Sequence, residues 1–446
     1  MVFSRFFKPR EPAAPEPAAN ADGGDEDVPD ELAEAAAAAA SAEDEPDADW
    51  ASRAARILPT GASTGSKRPE VLYGDAEPGP THFHRAAGCR LVAADGETLV
   101  DCTMALGAVA IGYAEPQLTR AVIEALAGGH VAGLSHTLEV ELAERFCNVV
   151  PCAERVQFLK TGAEAVAAAV RLARAYTGRD VVIGCGYFGW HDWCSSAPGV
   201  PAAVSRDYRT VAFDDITALE RAVADAGGGS QLAAIVLEPV IERLPSERWI
   251  SRARELCDAH GAALVFDEIK TGFRLATAGY QQYSGITPDL ATFGKAMANG
   301  FPLSAVCGRA DLMECARETW ISSTLASEAT ALAAAVAVLD WHRTVDVCEK
   351  LASVGSDMRG VVGAALSASG VAGVSLEGID PMWFLRFDSP ELESRFLAAA
   401  ARHGALFKRG PYNFACLAHD DDAMRVIEAA ASNAFVEIQD ESAAGA

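Results

Sequence analysis

The sequence predicts an α/β protein, with a large, mainly parallel sheet covered by helices and a smaller α+β domain beside it. Three observations point there. Short apolar runs with polar ends recur between residues 115 and 345, helical stretches separate them, and glycines close several of those stretches. Runs of that kind suit strands buried on both faces, and repeated strand–helix units imply one shared sheet. A chain of 446 residues can bury a large core and carry two domains.

The elements follow in order. Residues 1–50 are rich in Ala, Pro, Asp and Glu and predict a disordered acidic tail. Within it, "ELAEAAAAAASAEDE" has transient helical propensity. "FSRFFKPR" mixes aromatic and basic residues, a composition also suited to touching a partner, but its position favours a loose terminus. Residues 51–114 form an N-terminal segment expected to contribute to the small domain. In it, "GCRLVAADGETLVDCT" carries a hairpin signal at Asp95-Gly96. Residues 115–345 form the large domain. Its strands are "RVQFLK", "DVVIGC", "AAIVLEP" and "AALVFDE", and its helices include "AEAVAAAVRLARAYTG" and "ERWISRARELCDAHG", ended by Gly178 and Gly261. Residues 346–446 form the C-terminal small domain, with helix "VCEKLASVGSDMRGVVGAAL", strand "MWFLRF" and a last helix from about Asp421.

Composition excludes several classes. The net charge is −25; residues 1–50 hold 14 acids and 3 bases, so 11 of those charges lie in the tail. A chain this acidic repels phosphate backbones, which argues against nucleic-acid binding. No apolar run is long enough for a membrane-spanning helix or a secretory signal. Eleven cysteines without a C-x-x-C pair suggest buried thiols in a reducing cytoplasm, and no metal site is expected.

"GCGYFGWHDW" (184–193) fits G-x-G-x-x-G after an apolar strand. A dinucleotide loop needs a helix directly after its glycines, whereas "WHDWCSSAPGVP" carries Pro198 and Pro201 and little helical periodicity. The aromatic residues then matter more: either they pack on the sheet, or Tyr187 offers its ring to a planar cofactor.

The deciding constellation lies elsewhere. "ALVFDEIKTGFR" ends a strand in Asp267 and Glu268, and "PDLATFGKAMANGFPLSAVCG" places Lys295 after another apolar run. Each feature alone has an ordinary structural explanation, such as a cap or a solvated turn. Together they fit pyridoxal 5'-phosphate chemistry. That chemistry needs a lysine amine for a Schiff base, a carboxylate for the ring nitrogen, and phosphate donors such as the helix N-terminus in "LKTGAEA".

With "LVAADGETLVDCTMALGAVAIGYAEPQL", "FLKTGAEAVAAAVRLARAYTGR", "GYFGWHDW", "IVLEPV" and "VFDEIKTGFR" in this order, the chain resembles the class III aminotransferases over about residues 55–435. "DEIKTGFR" is most similar to the branch containing glutamate-1-semialdehyde 2,1-aminomutase. The resemblance implies a fold-type I pyridoxal-phosphate transferase with a seven-stranded type of sheet. It implies that Lys295 is the Schiff-base lysine, Asp267 the partner of the pyridine nitrogen, Tyr187 the stacking ring and Ile269 the packing residue on the other face. It further implies that Gly162 and Ala163 cradle the phosphate, that Glu238 lies near the site, and that Thr324 reaches the phosphate of a neighbouring subunit, hence a homodimer. The chain departs from the family at Phe188, where a histidine is frequent, and in "TGASTGSKRPE", where Ser66, Lys67 or Arg68 stands in for a substrate-binding segment. It also departs at Asn413, where an acid is expected.

The first functional expectation is amino transfer between an amino donor and a carbonyl acceptor. The alternative is the aminomutase reaction, in which the amine moves within one molecule. Racemisation or decarboxylation on the same scaffold, and a non-catalytic scaffold with a partner-binding tail, follow.

Overall fold

The computed structural model describes residues 49–76 and 79–444. The expectations for the acidic tail lie outside the described residues, apart from its last two.

The chain first lays down three antiparallel strands, β1 (Phe83–Ala87), β2 (Arg90–Ala93) and β3 (Thr98–Asp101). The hairpin predicted at Asp95-Gly96 joins β2 to β3, with Gly96 at φ 90°. Seven strands then make the main sheet: β4 (Arg155–Leu159), β5 (Val181–Cys185), β6 (Tyr208–Thr210), β7 (Leu232–Leu237), β8 (Ala263–Asp267), β9 (Leu290–Phe293) and β10 (Ser304–Gly308). Their spatial order is β4-β10-β9-β8-β7-β5-β6. All neighbours are parallel except that β10 runs antiparallel to both β4 and β9. Two reversals restore the direction, so β4 also runs parallel to β9. β10 was not foreseen: "SAVCG" is short and apolar and carries no signal of strand direction.

Alternate residues of a strand face opposite sides of its sheet. Leu264 and Phe266 of β8 therefore join one hydrophobic cluster, while Ala263 and Val265 join the other. The second cluster takes in helix Gly162–Thr177, which contributes Ala165, Val166, Ala169 and Leu172. That helix ends at Gly178 in the left-handed region (φ 65°), and helix Glu247–His260 ends likewise at Gly261. Both are the stops the sequence predicts.

Toward the C-terminus, helix Val347–Ser369 precedes the antiparallel pair β11 (Val374–Ile379) and β12 (Met382–Phe387). β13 (Ala405–Leu406) pairs in parallel with β3, and β14 (Asn413–Phe414) pairs with β12. The C-terminal segment thus extends a sheet begun near the N-terminus. No described helix is long and apolar enough to cross a membrane.

Candidate active site

The C-terminal ends of the parallel strands meet one cavity of about 380 Å³. Such strand ends are the usual ligand side of an open α/β sheet. β5 delivers Tyr187, β7 delivers Glu238, β8 ends in Asp267, and β9 is followed by Lys295; all four line the cavity. β4 runs in the same direction, so Gly162 and Ala163, at the helix start beyond it, also line the cavity with Ile269.

Asp267 and Glu268 are neighbours with opposite fates. Asp267 faces the cavity and is only 4% exposed. Its Oδ1 accepts the Ile269 N–H (3.0 Å) and the Thr292 hydroxyl (3.3 Å). Burial, then the Glu238 carboxylate, pushes Asp267 up to about 7, although the Ile269 N–H, Lys295 and Lys270 oppose this. A carboxyl group so placed fits a cationic N–H donor entering the cavity. Glu268 points away and accepts from the Thr271 hydroxyl and from the N–H groups of Tyr280 (2.8 Å) and Gln281 (3.0 Å). It ties together the turn after β8 and the start of helix Tyr280–Ser284.

Lys295 follows Gly294 in the left-handed region, at φ 47°. That conformation costs a non-glycine residue about 1–2 kcal/mol, and strain of this kind concentrates at functional sites. Burial, then the nearby Lys270 ammonium, pushes the Lys295 amine down, with Glu238 and Asp267 opposing. Four residues on, Asn299 fixes the segment: its Oδ1 accepts from Ala110 N (2.9 Å) and Ile111 N (3.0 Å), and its Nδ2 donates to Gly112 O.

At the other wall, Thr161 and Glu164 form a reciprocal cap. The Thr161 hydroxyl accepts the Glu164 N–H (3.2 Å) and the Glu164 carboxylate accepts the Thr161 N–H (2.8 Å). Gly162 and Ala163 keep their N–H groups without an acceptor among the described residues, at the positive end of a sixteen-residue helix. Those donors suit a phosphate. A Cβ on Gly162 would approach the Ile269 side chain to 3.2 Å, so Ile269 packs directly against the cradle.

The loop after β5 divides its aromatic residues. Tyr187 is 76% exposed at the cavity, and its N–H donates to Glu238 Oε2 (3.1 Å). Phe188 is buried and stacks on Trp193, with ring centroids 5.9 Å apart. Packing on the sheet thus describes Phe188 and Trp193, while Tyr187 keeps its ring for the cavity. Gly186 and Gly189 sit at φ 139° and 91°, where a Cβ would strike the Glu238 side chain (2.5 Å) and Ala163 Cβ (2.4 Å). The glycines of "GCGYFG" therefore let the loop lie against the cavity wall, and no long helix follows them: Asp192–Cys194 is a single 3-10 turn.

The remaining candidates lie elsewhere. Thr324 is exposed and does not line the cavity of its own chain. Ser66 and Lys67 line a separate apolar cavity with Lys408 and Tyr113. Asn413 is buried and accepts the Lys408 N–H (2.8 Å). Sequence reasoning passed over three residues. Lys160 lines the cavity and pairs with Glu328 (2.9 Å), which also caps helix Ala329–Thr344. Lys270 lines it too and pairs with Glu238. Tyr412 reaches Lys270 from far along the chain (3.1 Å). Lys160 and Lys270 each stood inside a motif singled out for other residues; a lysine in a buried strand-end segment was the available signal.

These features define a fold-type I α/β enzyme in which a half-buried lysine, a buried carboxylate and a helix N-terminus suited to phosphate line one cavity. The "Aminotransferase class-III" family model matches residues 73–408, and the chain belongs to that family, whose chemistry runs on pyridoxal 5'-phosphate. It is similar to the 3-aminobutyryl-CoA aminotransferase of Cloacimonas acidaminovorans, with 30% identity over 84% of this chain and 93% of the relative. It is also similar to the glutamate-1-semialdehyde 2,1-aminomutase of Sorangium cellulosum, with 33% identity over 81% and 87%. Among solved structures, the FumI protein of Sphingopyxis sp. MTA144 in its PLP internal aldimine form superposes with a TM-score of 0.83. It shares 27% identity, over 89% of this chain and 97% of that one.

Proposed function

We propose that this chain is an aminotransferase in which Lys295 carries and shuttles the proton, Asp267 holds the cofactor ring, and a homodimer completes each site. The observation that carries the reading is the shared cavity: Lys295, Asp267 and the free Gly162 and Ala163 N–H groups converge on it from three strand ends. Bound there, pyridoxal phosphate supplies an electron sink for the carbon that gives up its proton. Gly162 and Ala163 would hold its phosphate with their N–H groups, and Asp267 would pair with its ring nitrogen, which would settle the buried carboxyl's charge. Tyr187 and Ile269 would confine the ring. Lys295 Nζ takes the substrate proton and returns it one position away. Glu238 fixes the Tyr187 loop.

Thr324 and the exposed Trp320, Leu325, Tyr187 and Trp190 support the dimer, with Thr324 donating to the phosphate of the other chain's site. Eleven cysteines, all free, suit a reducing cytoplasm.

Borohydride reduction followed by peptide mapping tests the core of the reading: the pyridoxyl tag is expected on Lys295. A tag on another lysine refutes the assignment. A panel of amino donors and carbonyl acceptors then reads out transfer.

The aminomutase remains the second reading, favoured by the Sorangium cellulosum relative. Ser66, Lys67 and Asn413 do not line the cavity, which favours transfer between molecules. Turnover of glutamate-1-semialdehyde with no added amino donor would reverse that preference.

A further inference from the structure

The cavity holds a buried lysine that the proposed mechanism does not use. Lys270 is 8% exposed. Its Nζ donates to Glu238 Oε1 and to the Tyr412 hydroxyl (3.1 Å), and it lies 4.3 Å from the centre of the Tyr412 ring. The Tyr412 hydroxyl also accepts the Glu242 N–H (2.6 Å), which fixes it in place. Glu238 is held from both sides, by Lys270 at Oε1 and by the Tyr187 N–H at Oε2.

A buried lysine normally loses its proton, because the charged form is poorly solvated. Here burial pushes Lys270 down, but Glu238 and Tyr412 outweigh it and the group stays a cation. Four charged groups bear on Lys295: Lys270 and Arg274 as cations, Glu238 and Asp267 as anions. Arg274 is committed to backbone carbonyls, among them Ala415 (2.7 Å), Gly107 and Val109 (both 3.2 Å). Of the two cations, then, Lys270 is the one held by side chains of the cavity. Without it, Glu238 would be a half-buried carboxylate with no paired cation in a cavity it shares with Lys295, and its charge would favour the ammonium form of Lys295; Lys160, the other lysine there, is committed to Glu328.

We propose that Lys270 is a positioning residue for the amine chemistry: its ammonium group neutralises Glu238 and supplies the second positive charge that favours a neutral, nucleophilic Lys295 amine. The inference rests on the reading of Lys295 as the cofactor lysine. Through Tyr412 it also links the amine's reactivity to the 410–414 segment.

The test uses the full-length chain in two states. Without cofactor, a pulse of acetic anhydride across pH 6–10 with peptide mass spectrometry measures the reactivity of Lys295. With pyridoxal phosphate bound, the pH midpoint of its visible absorbance gives an independent readout. In Lys270→Met, labelling of Lys295 at neutral pH is expected to slow about tenfold, and both midpoints to rise by about one pH unit, since one unit is tenfold in the neutral fraction. Lys270→Arg keeps the charge and the wild-type midpoints. Glu238→Gln moves the midpoints down, and Lys270→Met/Glu238→Gln restores most of the loss. A purely structural role for Lys270 would lower thermal stability without moving either midpoint. If Lys270→Met does not fold, the downward shift in Glu238→Gln still tests the charge argument. Coincident midpoints in wild type, Lys270→Met and Glu238→Gln overturn the proposal. Borohydride mapping of the same samples separates the two claims: a tag off Lys295 defeats the cofactor assignment, whereas a tag on Lys295 with unmoved midpoints defeats only the role of Lys270.

Discussion

The floor of the cavity and its mouth are built by different rules. The floor consists of Asp267, Lys295 and the cap at Gly162, all on the ends of buried strands or the start of a long helix. Asp267 is buried there and held by the Ile269 N–H and the Thr292 hydroxyl, while the Gly162 and Ala163 N–H groups stay open to the cavity. The mouth includes the loop after β5, which leaves large apolar rings in solvent: Tyr187 and Trp190 are each 76% exposed; Trp320, outside the cavity lining, is 85% exposed. The loop bearing Trp320 and Thr324 is anchored beside the cavity through Glu328, which pairs with Lys160. A floor of this kind is complete within one chain. A mouth with so much exposed apolar surface calls for a second surface to cover it.

The comparison sharpens through four variants. Lys295→Ala should act at the floor alone and have the largest effect. Turnover falls about 10⁴-fold and the cofactor's visible band is lost, because both covalent attachment and proton transfer go with the amine. Far-ultraviolet circular dichroism should be unchanged. Residual turnover near wild type would remove Lys295 from the mechanism.

Asp267→Asn comes next, with turnover reduced on the order of 10²-fold as the ring loses its charged partner. Its effect on stability has the opposite sign. The buried Asp267 carboxyl, raised to about 7 from 3.8, keeps its proton in the fold at pH values where the unfolded chain has released it. Its contribution to the stability of the cofactor-free chain is therefore fully present below about pH 4 and is lost as pH rises to about 7. Glu268, also raised to about 7, acts in the same sense, and His342, lowered to about 4, acts in the opposite one. Cofactor-free Asp267→Asn should melt several degrees above wild type at pH 8, with the gap closing toward pH 4. With cofactor bound, wild type should be the more stable. A gap that does not vary with pH would mean that Asp267 is not the buried acid described here.

Leu325→Glu acts at the mouth. It places a charge on a half-exposed apolar residue and should weaken self-association at least about tenfold, read by analytical ultracentrifugation, with little change in the monomer's melting temperature. A variant that associates as tightly as wild type would show that this loop is not covered by a partner. Thr324→Ala should have the smallest effect. Loss of one hydrogen bond to a charged group weakens pyridoxal phosphate binding about tenfold, with cofactor release followed by dialysis and absorbance. Mixing it with Lys295→Ala chains gives a further check. If Thr324 serves the neighbouring site, mixed dimers regain one site with both a lysine and a threonine.

Much of the floor was legible in the sequence. Asp267 and Lys295 stand at the ends of apolar runs, and strand ends in a parallel sheet converge on one edge. The opposite fates of Asp267 and Glu268 follow from strand alternation, which sends consecutive side chains to opposite faces. Less legible were the ion pairs. Lys270 meets Tyr412 across 142 residues, and Lys160 meets Glu328 across 168. No local pattern encodes such partners. β10 escaped notice for a similar reason, since its direction is set by its neighbours β4 and β9.

The sequence by itself determined where several of the strands and helices begin and end, because apolar periodicity, the cap at Thr161 and the glycine stops at 178 and 261 are local. It also determined which residues carry reactive groups. Only the tertiary structure decided what those groups face. Burial and neighbouring charge are properties of a surface closed by distant segments, and they alone leave Asp267 looking into a cavity, Glu268 capping a helix and Lys270 beside Glu238.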